Sequence, residues 1–98
     1  MRKYGRTDHN HQEIKVAFER MGCSVLDLSS VGGGCPDLLV GYGGKSILIE
    51  VKDGAKPPSA RRLTPDEEDF GRGWKGRYAI VENLDDAEEI VKGLHDRP

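Results

Sequence analysis

Residues 32 to 52 read Gly-Gly-Gly-Cys-Pro-Asp-Leu-Leu-Val-Gly-Tyr-Gly-Gly-Lys-Ser-Ile-Leu-Ile-Glu-Val-Lys, and no other stretch constrains the fold so tightly. Two apolar runs, Leu38 to Val40 and Ile47 to Val51, flank Gly41-Tyr42-Gly43-Gly44, the pattern of a β-hairpin. Side chains alternate along a strand, so Glu50 and Lys52 share one face while Ile47, Ile49 and Val51 take the other. A short antiparallel turn also sets the start of one strand beside the end of the next. Asp37 is therefore expected near Glu50 and Lys52. A carboxylate and a lysine two apart often decorate a solvated strand face. Here Ile47-Leu48-Ile49 is apolar on both faces, which suits a central strand covered on both sides, where solvated charges do not belong. Two carboxylates and a lysine converging at one end of a hairpin point instead to a divalent-metal site.

Pro36-Asp37, a spacer, then Glu50-x-Lys52 resembles the PD-(D/E)xK nuclease signature. Gly-Cys-Pro-Asp-Leu-Leu-Val followed by Leu-Ile-Glu-Val-Lys-Asp-Gly is most similar to the small stand-alone VRR-NUC branch, itself similar to archaeal Holliday-junction resolvases. The resemblance covers residues 8 to 82. It implies an α/β, restriction-endonuclease-like fold, a mixed sheet flanked by helices in the order α-β-β-β-α-β-α. The periodicities reach that order independently. It also implies a metal-dependent endodeoxyribonuclease that hydrolyses phosphodiester bonds in duplex or branched DNA. Mg²⁺ or Mn²⁺ would be held by Asp37, Glu50 and the Val51 carbonyl. Lys52 would orient or deprotonate the attacking water, or neutralise the phosphate. A homodimer is expected, because the core is small and resolvase-like relatives pair. The alternative is a catalytically silent nuclease-fold module that binds DNA or a protein. Clustered, mutually repelling carboxylates beside an intact lysine argue for the enzyme.

Ninety-eight residues make a single domain, with no repeat and no second domain. No apolar run approaches the ~20 residues of a membrane span, and Met-Arg-Lys-Tyr-Gly-Arg at the start lacks the apolar segment of a signal peptide. A cytoplasmic setting is expected. Cys23 and Cys35 are too few for a four-cysteine zinc site and are expected as reduced thiols. The net charge of −2 argues weakly against a nucleic-acid partner. Its distribution argues the other way: basic residues gather at Arg2, Lys3 and Arg6 and again at Lys52, Lys56, Arg61 and Arg62.

Residues 1 to 6 read as a loose basic arm. A helix is expected from Thr7 or Asp8 to Met21, with Ile14, Ala17, Phe18 and Met21 forming its buried stripe and Gly22 ending it. Related nucleases often place an acidic residue on this helix, facing the metal. Counting back from Gly22, that position falls on His11, whereas the nearest glutamate is Glu13. Magnesium chemistry favours Glu13 as an outer-sphere ligand, with His11, and Asp8 or Asn10, touching metal-bound water or phosphate. A short strand, residues 24 to 28, leads to a glycine-rich loop. Gly33 and Gly34 offer bare N–H groups to a phosphate backbone; no Gly-Lys-Ser/Thr follows, so this is not a Walker loop. Residues 53 to 63 form a mobile basic flap, its Pro57-Pro58 excluding regular structure, with Lys56, Ser59, Arg61 and Arg62 as phosphate contacts. Thr64-Pro65-Asp66-Glu67 opens a helix with a capping box. Phe70 and Trp74 on that helix are expected in the core rather than as a base-stacking platform. A strand over residues 77 to 82 follows, and Asn83 caps a last helix with Ala87, Ile90, Val91 and Leu94 inward.

Overall fold

The computed structural model describes residues 10–96. The basic arm and the expected caps Thr7 and Asp8 lie outside these residues. In chain order the elements are α1 (His11–Arg20), β1 (Ser24–Asp27), β2 (Leu38–Tyr42), β3 (Lys45–Val51), a 3-10 turn (Pro58–Arg61), α2 (Pro65–Gly73), β4 (Tyr78–Val81) and α3 (Leu84–Asp96). The expected α-β-β-β-α-β-α order and mixed α/β sheet are found. Strands lie in the order β1-β2-β3-β4. The first three are antiparallel, and β4 runs parallel to β3 after a crossover that carries α2.

Two glycines set the register at the centre. Gly43 (φ 59°) and Gly44 (φ 81°) both adopt the left-handed backbone that a tight two-residue hairpin turn needs. Tyr42 then pairs with Lys45 and Leu38 with Ile49. One step further, Asp37 comes opposite Glu50.

The alternation of β3 divides the sheet into two sides. Ile47, Ile49 and Val51 face α1 and α3, in a core with Ile14, Phe18, Leu38, Val40, Val81, Ala87, Val91 and Leu94. Helix α1 ends where expected: Gly22 (φ 93°) lets its own N–H reach the Glu19 carbonyl and the Cys23 N–H reach that of Phe18. Asn83 caps α3 by accepting from the Asp86 N–H at 2.8 Å.

Leu48 and Glu50 face the other way, toward α2. This helix begins with the expected capping box: Thr64 Oγ1 accepts from Glu67 N–H at 3.2 Å, and Glu67 Oε1 accepts from Thr64 N–H at 2.9 Å. It meets the sheet through Gly71, where a Cβ would lie 3.1 Å from the Tyr78 ring. None of its residues is buried. Phe70 and Trp74 are thus not core. With Gly71 facing the sheet and 100° of turn per residue, Phe70 is carried aside, and the two rings stack on each other instead, 5.5 Å apart and 15° from parallel. The loop after β3 also differs from expectation. Pro58 opens a 3-10 turn, its fixed φ suiting a first helical position. No helix among the described residues is long and apolar enough to cross a membrane.

Candidate active site

Asp37 is held at the end of the sheet by both neighbouring strands. Its carbonyl accepts from the Leu28 N–H at 2.7 Å, and its Oδ2 accepts from the Val51 N–H at 2.8 Å. Beside it Glu50 is 3% exposed. Burial, then the charges of Asp37 and Glu67, push the Glu50 carboxyl up to about 9, with Lys52 acting in the opposite direction. At neutral pH Glu50 therefore carries a proton, which it shares toward Glu67. Lys52 Nζ sits 3.6 Å from Glu50 Oε2. The three residues read from the hairpin, Asp37, Glu50 and Lys52, are brought together as expected.

Glu67 completes this cluster and was not anticipated as part of it. Its Oε1 accepts from Lys52 Nζ at 2.9 Å while also accepting from Thr64 N–H. Burial opposes its ionisation, but Lys52 and the Thr64 amide outweigh that and lower its pKa. The sequence signal for Glu67 was its place in the capping box, which accounts for the residue locally and conceals its second partner. Tyr78 borders the cluster: burial, then Glu50 and Glu67, raise its phenol.

The start of α1 closes the same end of the sheet. Asn10 does not use its side chain as a helix cap. Its Nδ2 donates instead to the carbonyls of Lys52 (3.1 Å) and Glu82 (3.0 Å), fastening α1 to the ends of β3 and β4. His11, one residue on, reaches the end of β1, where its Nε2 lies 3.2 Å from Asp27 Oδ2. Burial would raise Asp27, but the Ser29 hydroxyl and amide and then His11 hold it at about 2. An ionised carboxylate only accepts, so Nε2 carries the hydrogen that faces Asp27. The ring's Nδ1 is buried without a hydrogen-bond partner, as is Asn10 Oδ1. Asp27, which orients the ring, was also not foreseen.

Of the two α1 candidates, His11 is buried, whereas Glu13, expected as the outer-sphere ligand, is exposed. Two helical positions differ by 200°, and the buried stripe takes His11 with Ile14 and Phe18. Glu13 is exposed, along a groove with Val16, Arg20 and Leu84 between α1 and α3.

Gly34 and Arg61, both expected as phosphate contacts, have structural partners. Gly34 (φ 82°) lies so close to α2 that a Cβ there would overlap the Asp66 carbonyl, so it seats the helix that carries Glu67. Gly33 (φ 65°) faces open space. Arg61 ties the flap down, its Nε donating to the Lys56 carbonyl at 2.7 Å and its Nη1 reaching Glu82 Oε1 at 3.3 Å. Lys56, Ser59 and Arg62 are exposed.

Among the described residues, no group of three or more His, Cys, Asp or Glu side chains is arranged to hold a metal ion. The donors that could hold one are two carboxylates, Asp37 and Glu50, and main-chain oxygen such as that of Val51. No family model, curated protein or solved structure matches the chain.

Proposed function

We propose that the chain is a metal-dependent nuclease of the PD-(D/E)xK type, hydrolysing phosphodiester bonds in DNA. One observation carries this reading: Asp37 and Glu50 stand side by side at the end of a buried hairpin, with Lys52 3.6 Å from Glu50. A fold gains nothing from burying a carboxyl against another one, and burial, then the charges of Asp37 and Glu67, raise the pKa of Glu50. A hard divalent cation relieves it. Mg²⁺ takes oxygen ligands, few of them carboxylates, and keeps several waters, so the donor set of Asp37, Glu50 and the Val51 carbonyl fits. When bound, such an ion supplies charge neutralisation and a water acidic enough to attack at neutral pH.

The protein's own groups do the rest. Glu50 must give up its proton for the cation-loaded form, so loading favours the ionised pair. Lys52, held by Glu67, keeps a positive charge where a phosphate's negative charge develops. His11, its ring oriented by Asp27, stands at the same end of the sheet with its Nδ1 buried and without a partner.

A second reading has its own observation. Lys52 is closed into an ion pair with Glu67 at 2.9 Å, which suits a nuclease-fold module that binds DNA without cutting. One assay separates the two. Purified protein is incubated with single-stranded, duplex and branched DNA in Mg²⁺, Mn²⁺ or EDTA. Metal-dependent cutting, lowered at least ~10²-fold by Asp37→Ala or Lys52→Ala with the fold intact, supports the nuclease. A gel shift without cutting supports the binding module, and undiminished cutting by Asp37→Ala discards the site.

A further inference from the structure

We propose that the Phe70–Trp74 stack is a subsite for an unpaired base of the DNA strand whose phosphodiester lies at Asp37 and Glu50. The inference rests on the nuclease reading and deepens it, naming strands with unpaired bases next to the scissile phosphate as the substrate class.

Three features converge on it. Trp74 is 45% exposed although its ring lies against Phe70, so a large aromatic surface faces solvent without serving the core. Two glycines shape the platform: Gly71 seats α2 on Tyr78, and a Cβ at Gly76 would stand 2.9 Å from Trp74 Nε1. The second feature is position. Glu67 and Phe70 lie one turn apart on α2, and Trp74 is its C-cap, just past the last turn. Glu67 touches Lys52, so α2 leads from the carboxylate cluster at its start to Trp74 at its end. The helical rise from Glu67 to Gly73 carries the Trp74 C-cap about 10 Å from Glu67 along the axis. That equals roughly three steps of a stacked strand at about 3.4 Å each.

Charge is the third feature. Arg72 lies 3.9 Å from Glu68 and 3.4 Å from Asp69, so it offsets one of their two negative charges. Lys75 and Arg77, which follow Trp74 in the chain, remain exposed, and neither side chain has an ion pair among the described residues. An exposed indole with two cations close after it in the chain offers a π-face for a base and charge for the phosphates around it. A base inside a duplex has both faces covered by its stacked neighbours, so the occupant is an unpaired base.

Trp74 is the chain's one tryptophan, and its emission reports the subsite directly. Full-length protein in EDTA is titrated with a single-stranded DNA of about 12 nucleotides, the same strand made abasic at its centre, and a blunt duplex. Polarisation of labelled DNA is recorded alongside the emission. Intact single strand should quench Trp74, and the abasic strand and duplex should quench it far less. Trp74→Ala should weaken single-strand binding about 5- to 150-fold, the range for losing one base stack, with duplex affinity unchanged and Trp74→Phe retaining most of the affinity. Circular dichroism checks that the variants fold. Unmoved emission with equal binding of intact and abasic strands overturns the subsite, as does a chain that binds no single strand. Metal-dependent cutting with unmoved emission sinks the subsite alone. Base-dependent quenching by a protein that never cuts DNA sinks the nuclease reading alone.

Discussion

Strand β3 separates two unlike sides of one sheet. Toward α1 and α3 it presents Ile47, Ile49 and Val51 to a dry core that includes the fully buried Ile14 and Phe18. Toward α2 it presents Leu48 and Glu50 to a helix with no buried residue, seated through a glycine and an ion pair. The first side binds the sheet together by area removed from water, about 1.5–3 kcal/mol for each large apolar side chain. The second side gathers like charges that oppose folding. A small domain can afford the second because the first is so completely apolar. Stability and chemistry are thus assigned to opposite faces of the same seven residues.

Mutations should break that division unevenly. Phe18→Ala, on the apolar side, is expected to lower unfolding free energy by ~3–5 kcal/mol, read from urea midpoints at constant slope. A loss under about 1 kcal/mol would mean the two faces share the load. Glu50→Gln should do the reverse. Cleavage should fall at least ~10²-fold while the thermal midpoint at neutral pH holds or rises, because the amide mimics the protonated carboxyl. A stability loss matching that of Phe18→Ala would contradict the assignment of charge to function.

The pH dependence sharpens the contrast further. Glu50 rises from 4.5 to about 9 in the fold. The folded state therefore keeps a proton that the unfolded chain releases, and metal-free stability should fall as pH rises from about 4.5 to about 9, by up to about 1.4 kcal/mol per pH unit. Glu50→Gln should flatten that slope, and an unchanged slope would assign the proton elsewhere. Asp27 has the opposite sign: depressed from 3.8 to about 2, its contribution is present above its ordinary value and lost as pH falls toward about 2.

Smaller effects test how α2 and the flap are attached. Thr64→Ala removes one half of the capping box and should cost about 1 kcal/mol, with faster hydrogen exchange concentrated in α2 and little change around Phe18. Uniformly faster exchange would mean that α2 belongs to the main cooperative unit. Arg62→Ala should lower the salt slope of DNA binding by about one, whereas Arg61→Ala should first loosen the loop it ties to Glu82. Equal slopes for wild type and Arg62→Ala would remove the flap from the DNA-contacting surface.

Local covalent geometry explains what was legible in the chain beforehand. Alternation along β3 and a two-glycine turn determined which residues face each other, so Asp37, Glu50 and Lys52 could be grouped from their spacing alone. The 3.6-residue stripe of α3, the Gly22 terminator and the Thr64 capping box depend on neighbours within one turn and were equally readable. Tertiary structure decided everything that crosses the sheet. His11 could be told from Glu13 only once Asn10 was fastened to the ends of β3 and β4 and Asp27 stood opposite the ring. Glu67 already had a local role as a capping residue, and only the path of the crossover brought Lys52 to its second lone pair. Phe70 and Trp74 carried the spacing of a buried stripe, yet burial requires an opposing surface, and Gly71 took the place against Tyr78. Periodicity fixes which side chains share a face, whereas the partner for that face is set by contacts far apart in the chain.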